Sequence, residues 1–377
     1  MKKAIIIISI LVSLFMFVIG RLKLFPVEKT TTGGVLKPWD AVEIQSQQKS
    51  KRVFSSSEPA LLAEFDLDKL DNPPLHPTFV KFDQNGLLYF YDFKAGLIHK
   101  IKFSGDYKKI DHSVIGKGLG RGPGEITRLL DFKIFKDRLY LLDEGKGGLE
   151  VYSTSGEYIN TIRPSNGYIP RMFTIDESEL IIETLVPAET LFYAYDLSGK
   201  FKGPFGDYIE KNAKENMVYQ DNFLSEMFSG NCFLYMPRFF GFIAMYKDKQ
   251  PFLVKETIDG LRAGKKNIPV NKAVAAGITA QIVQRNMDTV YQYSLFGDIL
   301  LVRAYDYKEE TSFWDIYNVR NLDYLISVRN RPRGSSFAMH GEKVAVLLET
   351  DTGFKLLIYD IGSIIKEATR NAGKDAE

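Results

Sequence analysis

The chain has 377 residues, of which 45% are hydrophobic and 25% are charged, and these values exclude a disordered or collagen-like chain. Its 49 basic and 47 acidic residues give a formal net charge of +2, which lacks the basic excess typical of a nucleic-acid-binding protein. A single cysteine, Cys232, excludes an intramolecular disulfide and a cysteine zinc cluster. Aromatic residues make up 13% of the chain, which favours strands.

The first 23 residues predict an export segment. Lys2 and Lys3 precede an apolar run over residues 4–20, and a basic start followed by such a run is typical of a signal peptide or a signal anchor. The run is at the short end of the roughly 17–25 residues that span a bilayer. Two alternatives follow: an uncleaved anchor that binds the membrane through residues 4–20, or a secreted protein cleaved after Gly20. Both place the body outside the cytoplasm, facing the periplasm or the exterior.

The region from residue 61 onward repeats a turn followed by two strand-like runs. In the first copy, Asn85-Gly86 leads into Leu87–Asp92, and Ile98–Gly105 follows. Equivalent turns recur at Gly86, Arg138, Glu179, Asn231, Asp298 and Glu342. Units of roughly 40–50 residues with about four strands each are typical of a β-propeller.

This repeat predicts an all-β fold, a six-bladed β-propeller over residues 61–361, preceded by the membrane helix or signal segment. The alternative is a pair of separate β-sandwiches. The strand-like run Leu61–Phe65 is predicted to supply the outer strand of the last blade, which would close the ring and remove an exposed sheet edge. Residues 24–60 are predicted to form a polar spacer, and residues 362–377 a C-terminal tail.

Two segments depart from the repeat. Residues 207–228 and 260–286 contain helix-compatible stretches, such as Lys272–Gln284. We expect these segments to be insertions between blades.

The glycine-rich segment Gly116–Glu125 is the most distinctive motif in the chain. It resembles the G-x-G-x-G-P-G-E connection of exported bacterial six-bladed β-propellers of the NHL-like type. The resemblance extends to the strand that follows, Ile126–Ile134, and to the Y-D-x-S-G turns, and it covers residues 75–361. It implies a six-bladed fold and an extracytoplasmic location. It implies no single activity, because propellers include lyases, lactonases, hydrolases and plain binding proteins.

The residues of this motif predict a structural loop between two blades. Glycines permit positive φ angles and a close approach of the backbone. The motif residues are Gly118, Gly120, Gly122, Pro123, Gly124 and Glu125. Their spacing differs from a dinucleotide fingerprint, and no Lys-Ser or Lys-Thr follows the last glycine as a phosphate-binding loop requires.

Several arginines fall in segments that a propeller brings to one face. The loops that join successive blades share that face with the loops between second and third strands. The candidate ligand-binding residues there are Arg121, Arg128, Arg171, Arg238 and Arg333. Converging guanidinium groups bind carboxylate or phosphate in a bidentate manner. The alternative is that each arginine pairs with a nearby carboxylate and serves only the fold.

No metal site is predicted. The acidic run Asp66–Asn72 lacks the glycine and the final glutamate of a calcium loop. His76 and His340 lie beside turn residues and are predicted to be structural. The sequence assigns no cofactor.

Two functional hypotheses remain. The first is an extracytoplasmic propeller that binds an anionic small molecule, a glycan or a protein on its loop face without chemistry. The second is a lyase, lactonase or glycan-processing enzyme that uses carboxylates, with or without a metal, at the channel mouth. A nucleic-acid partner is not expected. Whether the protein is an enzyme stays open at this point, since catalytic residues in propellers come from separate blades.

Overall fold

The computed structural model describes the residues that follow: 42–167, 170–184, 190–206, 222–228, 231–238, 241–260, 270–275, 278–283, 287–306, 311–329 and 336–374. The predicted export segment at residues 1–23 lies outside these ranges. The described chain divides into two compact units, a large one that contains all the blades and a small one within residues 265–285.

The large unit is a six-bladed β-propeller, as the repeat predicts, and each blade is an antiparallel sheet. One short strand precedes the blades, β1 (Ile44–Gln45), and a second, β2 (Ala60–Asp66), precedes blade one. Blade one consists of β3 (Pro77–Phe82), β4 (Leu88–Asp92), β5 (Leu97–Phe103) and β6 (Ile110–Ile115). Blade two consists of β7 (Leu129–Phe135), β8 (Arg138–Asp143), β9 (Gly148–Ser153) and β10 (Tyr158–Ile162). Blade three consists of β11 (Pro170–Ile175), β12 (Leu180–Thr184), β13 (Phe192–Tyr195) and β14 (Phe201–Phe205).

The remaining blades follow the same order. Blade four consists of β15 (Asn222–Leu224), β16 (Phe233–Pro237), β17 (Phe242–Lys247) and β18 (Gln250–Glu256). After β19 (Val270–Ala275) and β20 (Ile278–Val283) of the small unit, blade five consists of β21 (Met287–Phe296), β22 (Ile299–Asp306), β23 (Thr311–Asn318) and β24 (Tyr324–Arg329). Blade six contains β25 (Ser336–His340), β26 (Lys343–Thr350) and β27 (Gly353–Asp360), and the helix α1 (Gly362–Lys374) follows it.

The first strands of neighbouring blades contact one another around the axis of the propeller. Each of the six turns found in the sequence joins the first strand of a blade to its second strand. The second strands read as apolar runs because neighbouring blades cover both of their faces. In β4, for example, all five residues are buried. Leu88 and Phe90 of this strand pack against Ala345 and Ile358 of blade six.

The ring closes through its N-terminal strand. β2 pairs antiparallel with β27, with Ala63 opposite Ile358 and Asp66 opposite Lys355. Blade six is therefore built from both ends of the propeller, which confirms the predicted role of Leu61–Phe65. The pairing covers the edge of β27 that would otherwise be open.

The small unit corrects one sequence prediction. The stretch Lys272–Gln284, predicted to be helix-compatible, lies largely within the antiparallel hairpin of β19 and β20. Val270, Val274 and Ile282 are β-branched, and such side chains lose rotamer freedom in a helix but fit a pleated strand.

Residues 42–58, which the sequence assigns to the polar spacer, lie against blades four and five. β1 pairs in parallel with β18. The Gln47 side chain donates to the carbonyl oxygens of Glu256, at 2.6 Å, and Leu322, at 2.9 Å. The backbone amide of Ser55 donates to the Ser327 carbonyl oxygen at 2.8 Å. This part of the chain is an ordered strap on the outer edge of the propeller.

The strap ends at the C-terminal helix. Ser55 Oγ donates to Glu367 Oε2 of α1 at 2.6 Å, and Ile364 and Ala368 are buried against blades five and six. Of the helices in the described ranges, none is long and apolar enough to cross a membrane.

Arg52 anchors the strap between two acidic side chains. Its Nη1 lies 2.6 Å from Asp259 Oδ1, and its Nη2 lies 2.8 Å from Asp315 Oδ2. The Asp315 side chain is 0% exposed and the Arg52 side chain 13%. Burial by itself lowers the pKa of Arg52, but the charges and hydrogen bonds of Asp315 and Asp259 outweigh it and raise the pKa above its ordinary value.

Replacement of this arginine is expected to destabilise the propeller. Arg52→Met leaves Asp315 buried without its counter-charge, and loss of one partner of a buried pair costs about 3–5 kcal/mol. Urea unfolding measures the free energy change. Lys51→Met, at the exposed neighbouring position, is the control and should stay close to wild type. Adding Asp315→Asn to Arg52→Met should restore part of the lost stability. Equal stability of the wild type, the two single variants and the double variant would contradict an anchoring role of Arg52.

Two histidines of blade one form a stacked pair. His99 Nδ1 lies 2.9 Å from His112 Nε2, and the His99 ring stacks on Phe90 with 4.8 Å between ring centroids. Burial and then the repulsion from His112 lower the pKa of His99 from 6.5 to about 4, although Asp92 acts in the opposite direction. The folded protein therefore holds His99 neutral.

Stability should consequently fall in mild acid. The unfolded chain protonates His99 near pH 6.5 and the folded chain near pH 4, so the unfolded state binds more protons between these values. The contribution of His99, up to about 3 kcal/mol, is complete above pH 6.5 and is lost as the pH falls towards 4. Carboxylates also titrate in this range, so the wild type is compared with His99→Gln, which keeps the carboxylates and removes the imidazole of His99. The free energy of unfolding of the wild type and of His99→Gln is measured by urea unfolding across this pH range. If it depends on pH in the same way in both proteins, His99 does not cause the loss of stability.

Candidate functional site

The inner strands of the propeller surround an axial cavity of about 1050 Å³. Most of its wall is apolar, with side chains from Phe79, Val80, Phe82, Leu130, Ile134, Phe135, Met172, Ile175, Met227, Phe228, Met245, Leu295, Phe296, Val319, Phe337, Ala338 and Met339. An apolar wall with a few polar groups is typical of small-molecule sites.

The cavity extends to the turns between the first and second strands. Gln84, Lys136, Glu177 and Asp298 line it at this end. Lys136 Nζ lies 2.7 Å from Glu177 Oε1, and Asp298 Oδ2 lies 2.6 Å from Arg320 Nη2. Two ion pairs therefore lie at the mouth, together with the Asp83 carboxylate, which accepts backbone hydrogen bonds from Asn85 and Leu87.

A cluster of charged side chains lies deeper in the cavity. We call it the axial cluster, and it consists of Lys81, Asp131, Lys133, Glu226 and Tyr293. Lys81 Nζ lies 3.0 Å from Asp131 Oδ1 and 3.1 Å from Glu226 Oε1. Lys133 Nζ lies 3.4 Å from Asp131 Oδ2 and 3.6 Å from Glu226 Oε1. These residues come from blades one, two, four and five, so the contacts cross the axis.

The lysines of the axial cluster differ in environment. The Lys133 side chain is 1% exposed, whereas that of Lys81 is 19% exposed. Burial lowers the pKa of Lys133 despite the attraction of Asp131 and Glu226. For Lys81 burial also acts to lower the pKa, but the two carboxylates prevail and raise it.

The Glu226 carboxylate is held in its charged form. Burial would raise its pKa, but Lys133 and Lys81 outweigh that effect and the pKa falls well below its ordinary value. Its side chain is nevertheless 36% exposed, and it lines the cavity. Of the two carboxylates in the cluster, that of Glu226 is therefore more accessible than that of Asp131.

The predicted arginines that the structure describes lie towards the opposite end of the inner strands. In blade two, Arg128 directly precedes the seven-residue strand β7 and Lys136 directly follows it, which separates them by about 23 Å of strand at 3.3 Å per residue. Arg128 Nη1 pairs with Glu144 Oε2 at 2.7 Å. This contact is the local pairing that the sequence leaves open as an alternative.

The other predicted arginines are spread over several elements. Arg121 is exposed in the connection between blades one and two, and Arg171 is half-buried at the start of β11. Arg238 is half-buried directly after β16. Arg333 lies outside the described residues. Their convergence on an anionic ligand stays a prediction.

The glycine-rich motif connects β6 of blade one to β7 of blade two. Lys146 Nζ donates to the carbonyl oxygens of Gly122, at 2.7 Å, and Glu125, at 2.6 Å. The Gly122 amide donates to Glu125 Oε2 at 2.7 Å. Gly124 has a φ of 81°, and a Cβ atom there would lie 2.7 Å from the Tyr152 hydroxyl. These contacts hold the connecting loop against blade two.

Sequence reasoning missed the axial cluster, although a signal was present. Lys81 interrupts the apolar run Phe79–Phe82, and Lys133 interrupts Phe132–Phe135. A lysine is seldom fully buried without a partner, so its occurrence inside a first-strand run marks an axial charge. The partner Glu226 lies in a segment predicted to be an insertion, and nothing in its neighbours marks it.

Within the described ranges, no group of three or more His, Cys, Asp and Glu side chains is placed to hold a metal ion. Cys232, predicted to be a buried hydrophobic residue, is 6% exposed and lines the cavity.

Comparison with known proteins supports the fold. A predicted exported protein from Bacteroides fragilis superposes with a TM-score of 0.58 at 13% identity, over 85% of this chain and 99% of that chain. A member of the DUF4221 family from Bacteroides vulgatus gives a TM-score of 0.54 at 11% identity, over 83% and 98%. At such identities the likeness shows the propeller fold alone, and the NHL-like type stays a prediction.

A streptogramin B lyase is a more distant match, with a TM-score of 0.44 at 10% identity over 79% of this chain and 98% of that chain. This likeness carries no argument about activity. No family model matches the chain, and no curated protein matches its sequence.

Proposed function

We propose that the protein is an extracytoplasmic binding module that holds a small molecule in its axial cavity. The observation that carries this proposal is the cavity itself, with its apolar wall and its buried axial cluster. Its volume of about 1050 Å³ is at the upper end of the roughly 300–1,000 Å³ typical of ligand pockets.

The free energy needed to bury the charges of the axial cluster supports a binding role. Removal of a charged group from water costs several kcal/mol, and a buried ion pair is often no more stabilising than apolar residues of similar volume. The axis of this propeller could be filled by hydrophobic side chains, as its other inner positions are. Retention of two lysines and two carboxylates beside an open cavity is the pattern expected where polar groups orient a ligand.

Two features support an extracytoplasmic location. The sequence begins with a basic, then apolar, segment of the kind that directs export. The structural neighbour from Bacteroides fragilis is also described as exported. We propose that residues 4–20 either anchor the protein in the membrane or are removed by cleavage after Gly20.

Two matched leucines test binding in the cavity. Leu295 and Leu253 are both half-buried and pack against the same apolar cluster, but Leu295 lines the cavity and Leu253 does not. Leu295→Trp should fill part of the cavity and weaken saturable binding of the neutral apolar dye Nile red by about tenfold or more. Leu253→Trp should bind the dye as the wild type does.

Dye fluorescence in titrations of the full chain measures this effect. The apolar segment at residues 4–20 is common to all three proteins, so any dye that binds there cancels in the comparison. Circular dichroism verifies that both variants fold. Equal dye affinity in the two tryptophan variants would contradict binding in the cavity.

Export is tested by fractionation of a bacterial host. The full chain should be recovered outside the cytoplasm, and a chain that lacks residues 2–20 should remain inside. Mass spectrometry of the recovered protein distinguishes a retained N-terminus from cleavage after Gly20. Recovery of the full chain from the cytosol would overturn the proposed location.

A further inference from the structure

We propose that the ligand of the axial cavity carries a non-acidic hydrogen-bond donor, an amine or a hydroxyl group, on an apolar body. This inference rests on the proposed binding function and specifies its ligand class. It follows from a count of donors and acceptors in the cavity, which shows a surplus of acceptors.

Most donors of the axial cluster are already engaged. Lys81 directs its ammonium group to Asp131 Oδ1 and Glu226 Oε1. Lys133 donates to the Leu224 carbonyl oxygen at 2.9 Å and contacts both carboxylates. Each ammonium has three protons, so the contacts of Lys133 account for all of its donors, whereas Lys81 directs two protons to carboxylates and has one left for a ligand.

Tyr293 adds no spare donor to the cavity. Its hydroxyl donates to the Leu224 carbonyl oxygen at 2.7 Å, and a phenol has one proton. The same hydroxyl lies 3.4 Å from Glu226 Oε2, at the long limit of a hydrogen bond. Burial, followed by the charges of Glu226 and Asp131, raises the pKa of Tyr293 well above its ordinary value, so the phenol keeps its proton.

Acceptors, in contrast, have capacity left. A carboxylate offers about four lone-pair sites and no donor, and the Glu226 carboxylate lines the cavity with its side chain 36% exposed. Among the described residues, no group donates a hydrogen bond to the buried Gln292 Oε1. The buried Asp131 Oδ2 is contacted by Lys133 Nζ at 3.4 Å, at the long limit of a hydrogen bond. Gln292 Nε2 is already used, since it donates to Ser336 Oγ at 2.8 Å.

The walls suit the proposed ligand. Phe82, Phe135 and Phe296 are among the residues that line the cavity, and aromatic side chains attract cations as well as apolar groups. An acidic head group would meet the negative charge of the Glu226 carboxylate, and the axial cluster would have one lysine proton, on Lys81, to offer it. The balanced ion pairs at the mouth, Lys136–Glu177 and Asp298–Arg320, do not favour either sign of charge.

A matched ligand series tests the inference on the unmodified protein. The probes are 4-phenylbutylamine, 4-phenylbutan-1-ol and 4-phenylbutanoate, which share one apolar body and differ in the head group. Isothermal titration of the full chain at pH 7 should show the amine or the alcohol binding about tenfold or more tightly than the carboxylate, the ratio expected for one hydrogen bond to a charged group. Whichever of the amine and the alcohol binds more tightly then identifies the preferred head group.

A pair of variants locates the effect. Glu226→Gln replaces the cavity-facing carboxylate by an amide and should reduce the preference for the donor-bearing probe over the carboxylate by about tenfold. Glu157→Gln makes the same change at an exposed turn residue that does not line the cavity, and should leave the preference unchanged. If Glu226→Gln fails to fold, the titrations of the three probes with the unmodified protein test the inference by themselves.

The outcomes separate two failures. Equal or tighter binding of the carboxylate, or an unchanged preference in a folded Glu226→Gln variant, would overturn the inference about the ligand class while leaving a binding cavity. Absence of binding by all three probes, together with equal Nile red affinity in the Leu295→Trp and Leu253→Trp variants, would overturn the proposed function and this inference with it.

Discussion

Salt bridges across the axis are the interaction on which the centre of this propeller depends. Lys81, Asp131, Lys133 and Glu226 come from blades one, two and four, and among the described residues each charge forms its ion pairs within the cluster. Charges this deeply buried are tolerated only in pairs. The positions of the inner strands of blades one, two and four are therefore coupled through the cluster, on one side of which the cavity lies.

The outer edge is held by a second set of contacts. β2 closes blade six on β27, and the strap over residues 42–58 runs along blades four and five to the C-terminal helix. Arg52 joins this strap to Asp259 and Asp315 through bidentate contacts. Segments from the two ends of the propeller chain thus stabilise its circumference, and the axis is left available for a ligand.

The two candidate sites of the molecule differ in what they offer. The arginines found in the sequence that the structure describes lie towards one end of the inner strands, and Arg128 there is engaged by Glu144. The cavity opens towards the other end and presents mainly acceptor oxygens deep inside an apolar wall. A positively charged surface would select an anion, whereas the cavity favours a ligand that donates hydrogen bonds. The arginines and the cavity lie along the same inner strands, because each strand carries different residues at its two ends.

The sequence by itself determined the number of blades, the turn that begins each second strand and the closing role of Leu61–Phe65, because turn residues and apolar runs are local patterns that repeat. Lys81 and Lys133 interrupt apolar strands in the sequence, but sequence reasoning did not use that signal. It misassigned Lys272–Gln284, where helix-compatible composition competes with β-branched residues. Only the tertiary structure decided that Lys81, Lys133 and Glu226 meet, since they are far apart in the chain and ring closure alone brings them to one axis. Whether a buried lysine has a partner is decided by distances of about 3 Å between blades, and the spacing of residues along a chain does not encode such distances.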